Sequence, residues 1–139
     1  MSVFDTIRIA ASGLTAQRLR MDVAASNLAN AQTTRTQGGQ AGQPYQEEAV
    51  VFQARQMGTM AAAQGVSAVA IVQPPKPNVR VYDPNNPDAD QQGFVNYPNV
   101  DVASEMTDMM GAARSYQVNA TVAQAAKQQA LDAIDLGRA

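Results

Sequence analysis

The side chains that could do chemistry in this sequence are carboxylates, serines and a glycine-rich stretch, because it contains no histidine and no cysteine. That absence removes imidazole bases, thiol nucleophiles, Cys/His zinc sites and disulfides together. Asp83, Asp88 and Asp90 form an acidic loop that invites a calcium reading. Their spacing departs from the calcium-loop pattern of alternate oxygen ligands, a central Gly and a closing Glu, so a solvated turn is expected. Asp101, Glu105 and Asp108 are a second acidic group. It reads as the capping of a helix start, where carboxylates suit the helix dipole. A glycosidase pair would need a concave cleft, which so few strands are not expected to form. Ser12 and Ser26 have no base nearby in sequence and read as helix-surface or seam residues. Gly38, Gly39 and Gly42 lack the Lys-Ser/Thr ending of a phosphate loop and read as linker. No catalytic residue, metal ligand or cofactor is expected, and the chain does not read as an enzyme.

The elements that would carry these residues are bounded by composition. A chain of 139 residues suggests one domain. Apolar residues make up 45%, but much of that is Ala and aromatics reach only 5%, so an independent core would be modest. A net charge of −2 gives no electrostatic case for nucleic acid. No apolar run approaches the ~18–20 residues of a membrane span. Asp5, Arg8, Ser12 and Arg18 interrupt every candidate signal-peptide core, so any export is expected to proceed without a cleaved signal.

Two long amphipathic segments frame the chain. Ser2 to Ala31 reads as one helix, with Phe4, Ile7, Ala11, Leu14, Arg18, Met21, Ala25 and Leu28 stepping by three and four. Gly13 interrupts a strongly helical sequence, which suggests close approach of another helix. The second segment starts at Asp101, an expected N-cap, and ends near Leu136, with Gly137 a natural stop. Its stripe is Val102, Met106, Met109, Ala113, Tyr116, Ala120, Ala123, Lys127, Ala130 and Ile134. Between the helices, Gln32 to Pro44 reads as a loop. Strands are expected at Glu47–Ala54, Val66–Val72, Val79–Tyr82 and Gly93–Tyr97. Gln56 to Gln64 is expected to be a mobile loop or weak helical turn. The fold class is α+β: two long terminal helices forming a coiled-coil-like pair, with a small β-rich module inserted. The expected division is 1–33, 34–100 and 101–139.

Arg8, Arg18, Arg20 and Arg35 read as a solvated face or as inter-subunit ion pairs. Met21, Met57, Met60, Met106, Met109 and Met110 suit adaptable packing.

The run Ala11-Ser12-Gly13-Leu14-Thr15-Ala16-Gln17, continued by Met21-Asp22-Val23 and Asn27-Leu28-Ala29-Asn30, resembles the signature of the bacterial flagellar rod and hook axial proteins. The segments Gly65-Val66 to Val72, Tyr82-Asp83-Pro84, Pro87-Asp88-Ala89-Asp90, Gly93-Phe94-Val95 and Pro98-Asn99-Val100 are similar to the proximal-rod members of that family. So is the tail Glu105-Met106-Thr107-Asp108-Met109-Met110 with Ala113-Arg114-Ser115-Tyr116-Gln117-Val118-Asn119. Asn85-Asn86 stands where such chains often carry Gly-His, and the stretch Gln37 to Gln43 looks individual; both affect loops only.

The resemblance implies a structural subunit of the proximal rod, the shaft crossing the periplasm, exported uncleaved by the flagellar type III apparatus. It implies that the terminal helices form an inner tubular layer with the β module outside. Implied partners are copies of the chain, other proximal-rod proteins, the rod/export-gate adaptor and the distal rod protein. With the two stripes it marks Phe4, Ile7, Ala11, Gly13, Leu14, Met21, Ala25, Asn27, Leu28 and Asn30 as an assembly interface. On the second helix it marks Met106, Met109, Ala113, Tyr116, Asn119, Ala120, Ala123 and Ile134. A rival reading is a helical adaptor or export chaperone of the same apparatus.

Overall fold

The computed structural model describes residues 3–36, 42–56 and 64–137. Helix α1 spans Val3–Ala29 and helix α2 spans Val102–Leu136. Alanine-rich sequence favours both, and side chains fix their ends. At the end of α1, the backbone N–H and the Nδ2 of Asn30 both donate to the Ser26 carbonyl, at 3.0 and 2.9 Å. Asp101 caps α2, its Oδ1 accepting from Ala103 N–H at 3.0 Å and Ser104 N–H at 3.4 Å. Gly137 closes α2 as expected in position but not in geometry. Its φ of −79° keeps the right-handed conformation, and its N–H bonds back to the carbonyls of the last turn.

Between the helices lie two separate two-stranded antiparallel sheets. Strands β1 (Ala49–Gln56) and β2 (Gln64–Val72) form a long hairpin that packs on α1. Its register slips at Val51/Phe52, where Val51 pairs Ala70 and Phe52 pairs Ala68, leaving Val69 as a bulge. The first strand starts two residues later than expected because the Glu48 backbone is held by a helix side chain, described below. The expected mobile loop Gln56 to Gln64 contributes its two end residues to β1 and β2; residues 57–63, with Met57 and Met60, lie outside the described residues. Gly38 and Gly39 lie outside them too.

Strands β3 (Val79–Tyr82) and β4 (Phe94–Tyr97) form the second sheet. Gly93, expected to begin the fourth strand, is a turn residue with φ +80°, and a Cβ there would stand 2.9 Å from the Tyr82 ring. This sheet is held by loop contacts: Thr34 Oγ1 donates to Asp88 Oδ2 at 2.7 Å, and Arg35 pairs with the same carboxylate. Asp90 accepts the Gln92 and Phe94 N–H groups at 2.8 and 2.9 Å and pairs with Arg80. Asp90 and Asp83 therefore do turn chemistry, whereas Asp88 is a largely enclosed tie between the end of α1 and this sheet, not a solvated turn residue.

The core is thin. Besides Pro44 and Pro98, the buried apolar residues among those described are Ala10, Ala16, Val23, Ala24, Val95, Ala112 and Ala126, most of them alanines.

Candidate functional site

The two helices run antiparallel against each other, and three levels define their register. Gly13 faces Asn119, Arg20 pairs with Asp108 at 3.0 Å, and Asn27 and Glu105 line one cavity. A Cβ on Gly13 would lie 2.8 Å from Asn119 Nδ2, so the close approach expected at this glycine is to the same chain's second helix.

The repeat read from the sequence is present, but its phase differs by one residue. The expected stripe on α1 ran through positions 11, 14, 18, 21, 25 and 28. Gly13 and Arg20, which meet α2, stand one residue before the expected Leu14 and Met21, and the buried Ala10, Ala24 and Asn27 stand one residue before Ala11, Ala25 and Leu28. On α2 the buried Ala112 and Ala126 likewise precede the expected Ala113 and Lys127. One residue is about 100° of helix rotation. The seam inside the chain is therefore made of small and polar residues, and the larger apolar side chains lie to one flank of it or face away.

Ala11 and Ala25 are exposed, and Ile7, Leu14, Met21 and Leu28 are half-exposed. Phe4 is 71% exposed, Met106 48%, Tyr116 37% and Ile134 58%. Met109, Ala113, Asn119, Ala120 and Ala123 are half-exposed. Val102, Met110, Val118, Val122, Leu131 and Leu136 add further exposed apolar area on α2.

Asn27 is the most enclosed polar residue, at 1% exposure. Its Oδ1 accepts the Glu48 N–H at 2.9 Å and the Tyr45 hydroxyl at 2.8 Å, and its Nδ2 donates to the Glu48 carbonyl at 2.8 Å. It thus pairs with Glu48 as a strand residue would. One side chain joins the end of α1 to the entry of β1. Asn30 is half-exposed and finishes α1, with its Oδ1 accepting from Thr33 Oγ1 at 3.1 Å.

Ser12 plays a similar part for the hairpin: its Oγ donates to the Ile9 carbonyl at 2.7 Å and accepts the Val66 N–H at 3.1 Å. Ser26 Oγ sits 3.4 Å from the Tyr45 hydroxyl. Burial raises the Tyr45 pKa above its ordinary value, with Ser26 opposing. Two of the four arginines singled out from the sequence, Arg20 and Arg35, form pairs within the chain. Exposed pairs such as Arg20–Asp108 are worth about 0–1 kcal/mol.

Beside Asn27 lies a cavity of ≈ 270 Å³ whose lining includes Arg20, Phe52, Glu47, Glu48, Glu105 and Asp108. Burial pushes the Glu105 carboxyl above the usual carboxylate range; Glu47 and Asp108 push the same way, and Asn27 and Lys76 oppose them. Among the described residues, no group of three or more acids is arranged to hold a metal ion. No described helix is long and apolar enough to cross a membrane. Sequence reasoning marked Glu105 for its place near a helix start and missed Tyr45, Glu47 and Glu48. The available signal was Asn27 itself, a polar residue one position off an apolar repeat.

Comparison with known proteins gives two family matches. Residues 7–36 match the flagella basal body rod protein family, and residues 91–136 match the C-terminal family of flagellar basal body rod FlgEFG proteins. Over the whole length, the chain is 44% identical to the flagellar basal-body rod protein FlgC of Escherichia coli O6:H1, covering 99% of this chain and 100% of that one. It is 42% identical to the FlgC protein of Salmonella typhimurium and 39% identical to that of Bacillus subtilis, at the same coverage.

Proposed function

The chain belongs to the FlgC family of flagellar basal-body rod proteins and is a structural subunit of that rod, and we propose that it joins its neighbours through the outward apolar faces of α1 and α2. The observation that carries this reading is the one-residue offset. The chain closes its own seam with Ala, Gly and Asn and leaves Phe4, Met106, Met110, Tyr116 and Ile134 in water.

In this reading Phe4, Ile7, Ala11, Leu14, Met21, Ala25 and Leu28 meet other subunits. Met106, Met109, Ala113, Tyr116, Ala120, Ala123 and Ile134 do the same from α2. Gly13, Asn27 and Asn119 serve the same interface indirectly, by fixing the helix pair that presents it. Segments 1–33 and 101–139 form the inner layer and 34–100 the outer module. The neighbours are further copies, the other proximal-rod proteins, the rod/export-gate adaptor and the distal rod protein. Delivery is by the flagellar type III apparatus without cleavage, and the role involves no catalysis.

Folding is coupled to assembly, because a core of alanines gives an isolated chain little apolar area to bury. Circular dichroism of the purified chain at low concentration tests this: only partial helix is expected, and full helix with a sharp melt would refute it. Leu14→Asp and Met109→Asp each place a charge on an outward face and are expected to abolish incorporation into basal bodies with export intact. Mass spectrometry of purified basal bodies reads the result. Normal incorporation removes the interface assignment, and a stable free dimer that never enters the basal body favours an adaptor or chaperone instead.

A further inference from the structure

We infer that the exposed face of α2 around Gly111 receives α1 of a second copy of the chain, antiparallel, with Ala25 against Gly111 and Asp22 paired with Arg114. The inference rests on the reading that the chain packs in the rod through outward helix faces, and it concerns a face of α2 outside the apolar stripe read from the sequence. Two glycines interrupt the long helices, and only one is explained within the chain. Gly13 leaves room for Asn119, whereas a Cβ on Gly111 would meet nothing within 4 Å. A glycine in a helix interior weakens the helix relative to alanine, so Gly111 suits a close approach from outside the chain. Val118 and Val122 lie within about 20° of Gly111 around α2 and are 56% and 41% exposed. Arg114, one turn on from Gly111, is exposed and has no acid partner among the described residues.

The free face of α1 offers the match. Its exposed alanines are Ala11, Ala25 and Ala29, which fall within about 40° of one line. Each can be set on Gly111 with the two helices parallel or antiparallel, and the residue three positions away then comes opposite Arg114. In all arrangements but one that residue is Arg8, Leu14, Leu28, Ser26 or Gln32, and Arg114 meets no acid. With Ala25 on Gly111 and the helices antiparallel it is Asp22, which is exposed and has no cation among the described residues. The same register sets the half-exposed Leu14 opposite Val122 and lays the apolar stem of Arg18 along Val118. Because α1 of one copy meets α2 of the next, the contact is head-to-tail and repeats from copy to copy.

The experiment puts variants of the full chain in place of the unsubstituted one in cells, counts the chain in purified basal bodies by mass spectrometry and follows export separately. Asp22→Arg and Arg114→Asp each bring like charges together and should lower incorporation at least about tenfold, and the chain carrying both restores the pair and should recover to about half the unsubstituted level or more. Gly111→Leu should keep or raise the helix content of the purified chain, since the space beyond Gly111 is open, and still lower incorporation. The chain has no cysteine, so Asp22→Cys with Arg114→Cys should give chain-to-chain disulfides in basal bodies, seen as a ladder on a non-reducing gel. Single reversals that incorporate normally, or normal incorporation of Gly111→Leu, overturn the contact. A double reversal no better than either single, or a cysteine pair without a ladder, shows that this face meets something other than a second copy and overturns the assignment. Absence of the unsubstituted chain from basal bodies is the separate failure of the rod reading.

Discussion

Replacing Asn27 with alanine should disconnect the end of α1 from the entry to β1. The substitution removes two hydrogen bonds to the Glu48 backbone and one from Tyr45, at 2.8–2.9 Å. Each is worth about 1 kcal/mol net, and the Glu48 N–H and carbonyl would be left under a helix with poor access to water. The expected loss is about 3 kcal/mol, close to two orders of magnitude in the closing constant. Asn30→Ala is the control: it removes bonds at a half-exposed helix end and should cost about 1 kcal/mol. Helix content titrated with sucrose gives the closing constant for each variant, and amide exchange at Glu48 reports the junction directly. The reasoning is refuted if Asn27→Ala costs no more than Asn30→Ala, or if Glu48 stays as protected as in the unsubstituted chain.

Gly13→Ala should destabilise the helix pair by about 1–2 kcal/mol through collision with Asn119. Combined with Asn119→Ala, it should become stabilising, because Ala exceeds Gly in a helix interior by about 1 kcal/mol; a double-mutant cycle on the closing constant checks both. Gly93→Ala should cost about 1–2 kcal/mol from the left-handed backbone alone, with the Tyr82 ring adding to it, read as loss of β3–β4 amide protection. Asp90 has the opposite pH sign to Glu105. The Phe94 N–H and Arg80 hold its pKa below 3.8, so its contribution is present above that value and is lost as pH falls through the lower folded value. Asp90→Asn should remove that acid dependence from the β3–β4 turn, measured by NMR titration.

Much of the architecture follows from local chemistry and is legible along the chain. The three-and-four apolar spacing sets two long helices, Asp101 caps the second because its side chain precedes free N–H groups, and the Val-rich runs at 66–72 and 79–82 form strands. What pattern reading could not supply is the phase of the seam. It assigns the largest apolar stripe to the nearest partner, whereas Gly13, Ala10, Ala24 and Ala112 allow the two backbones to approach along a different line. The gap left by small residues decides this, and it exists only once both helices are present.

The same limit explains the junction. Asn27, the Tyr45–Glu48 segment and Glu105 are remote from one another in sequence, and nothing local marks them as lining one place. The sequence by itself determined the periods, caps and turns, because these depend on neighbours within a few residues. Only the tertiary structure decided which face closes inward and where Asn27 uses its hydrogen-bonding groups. Those depend on distances between segments that the chain does not encode one residue at a time.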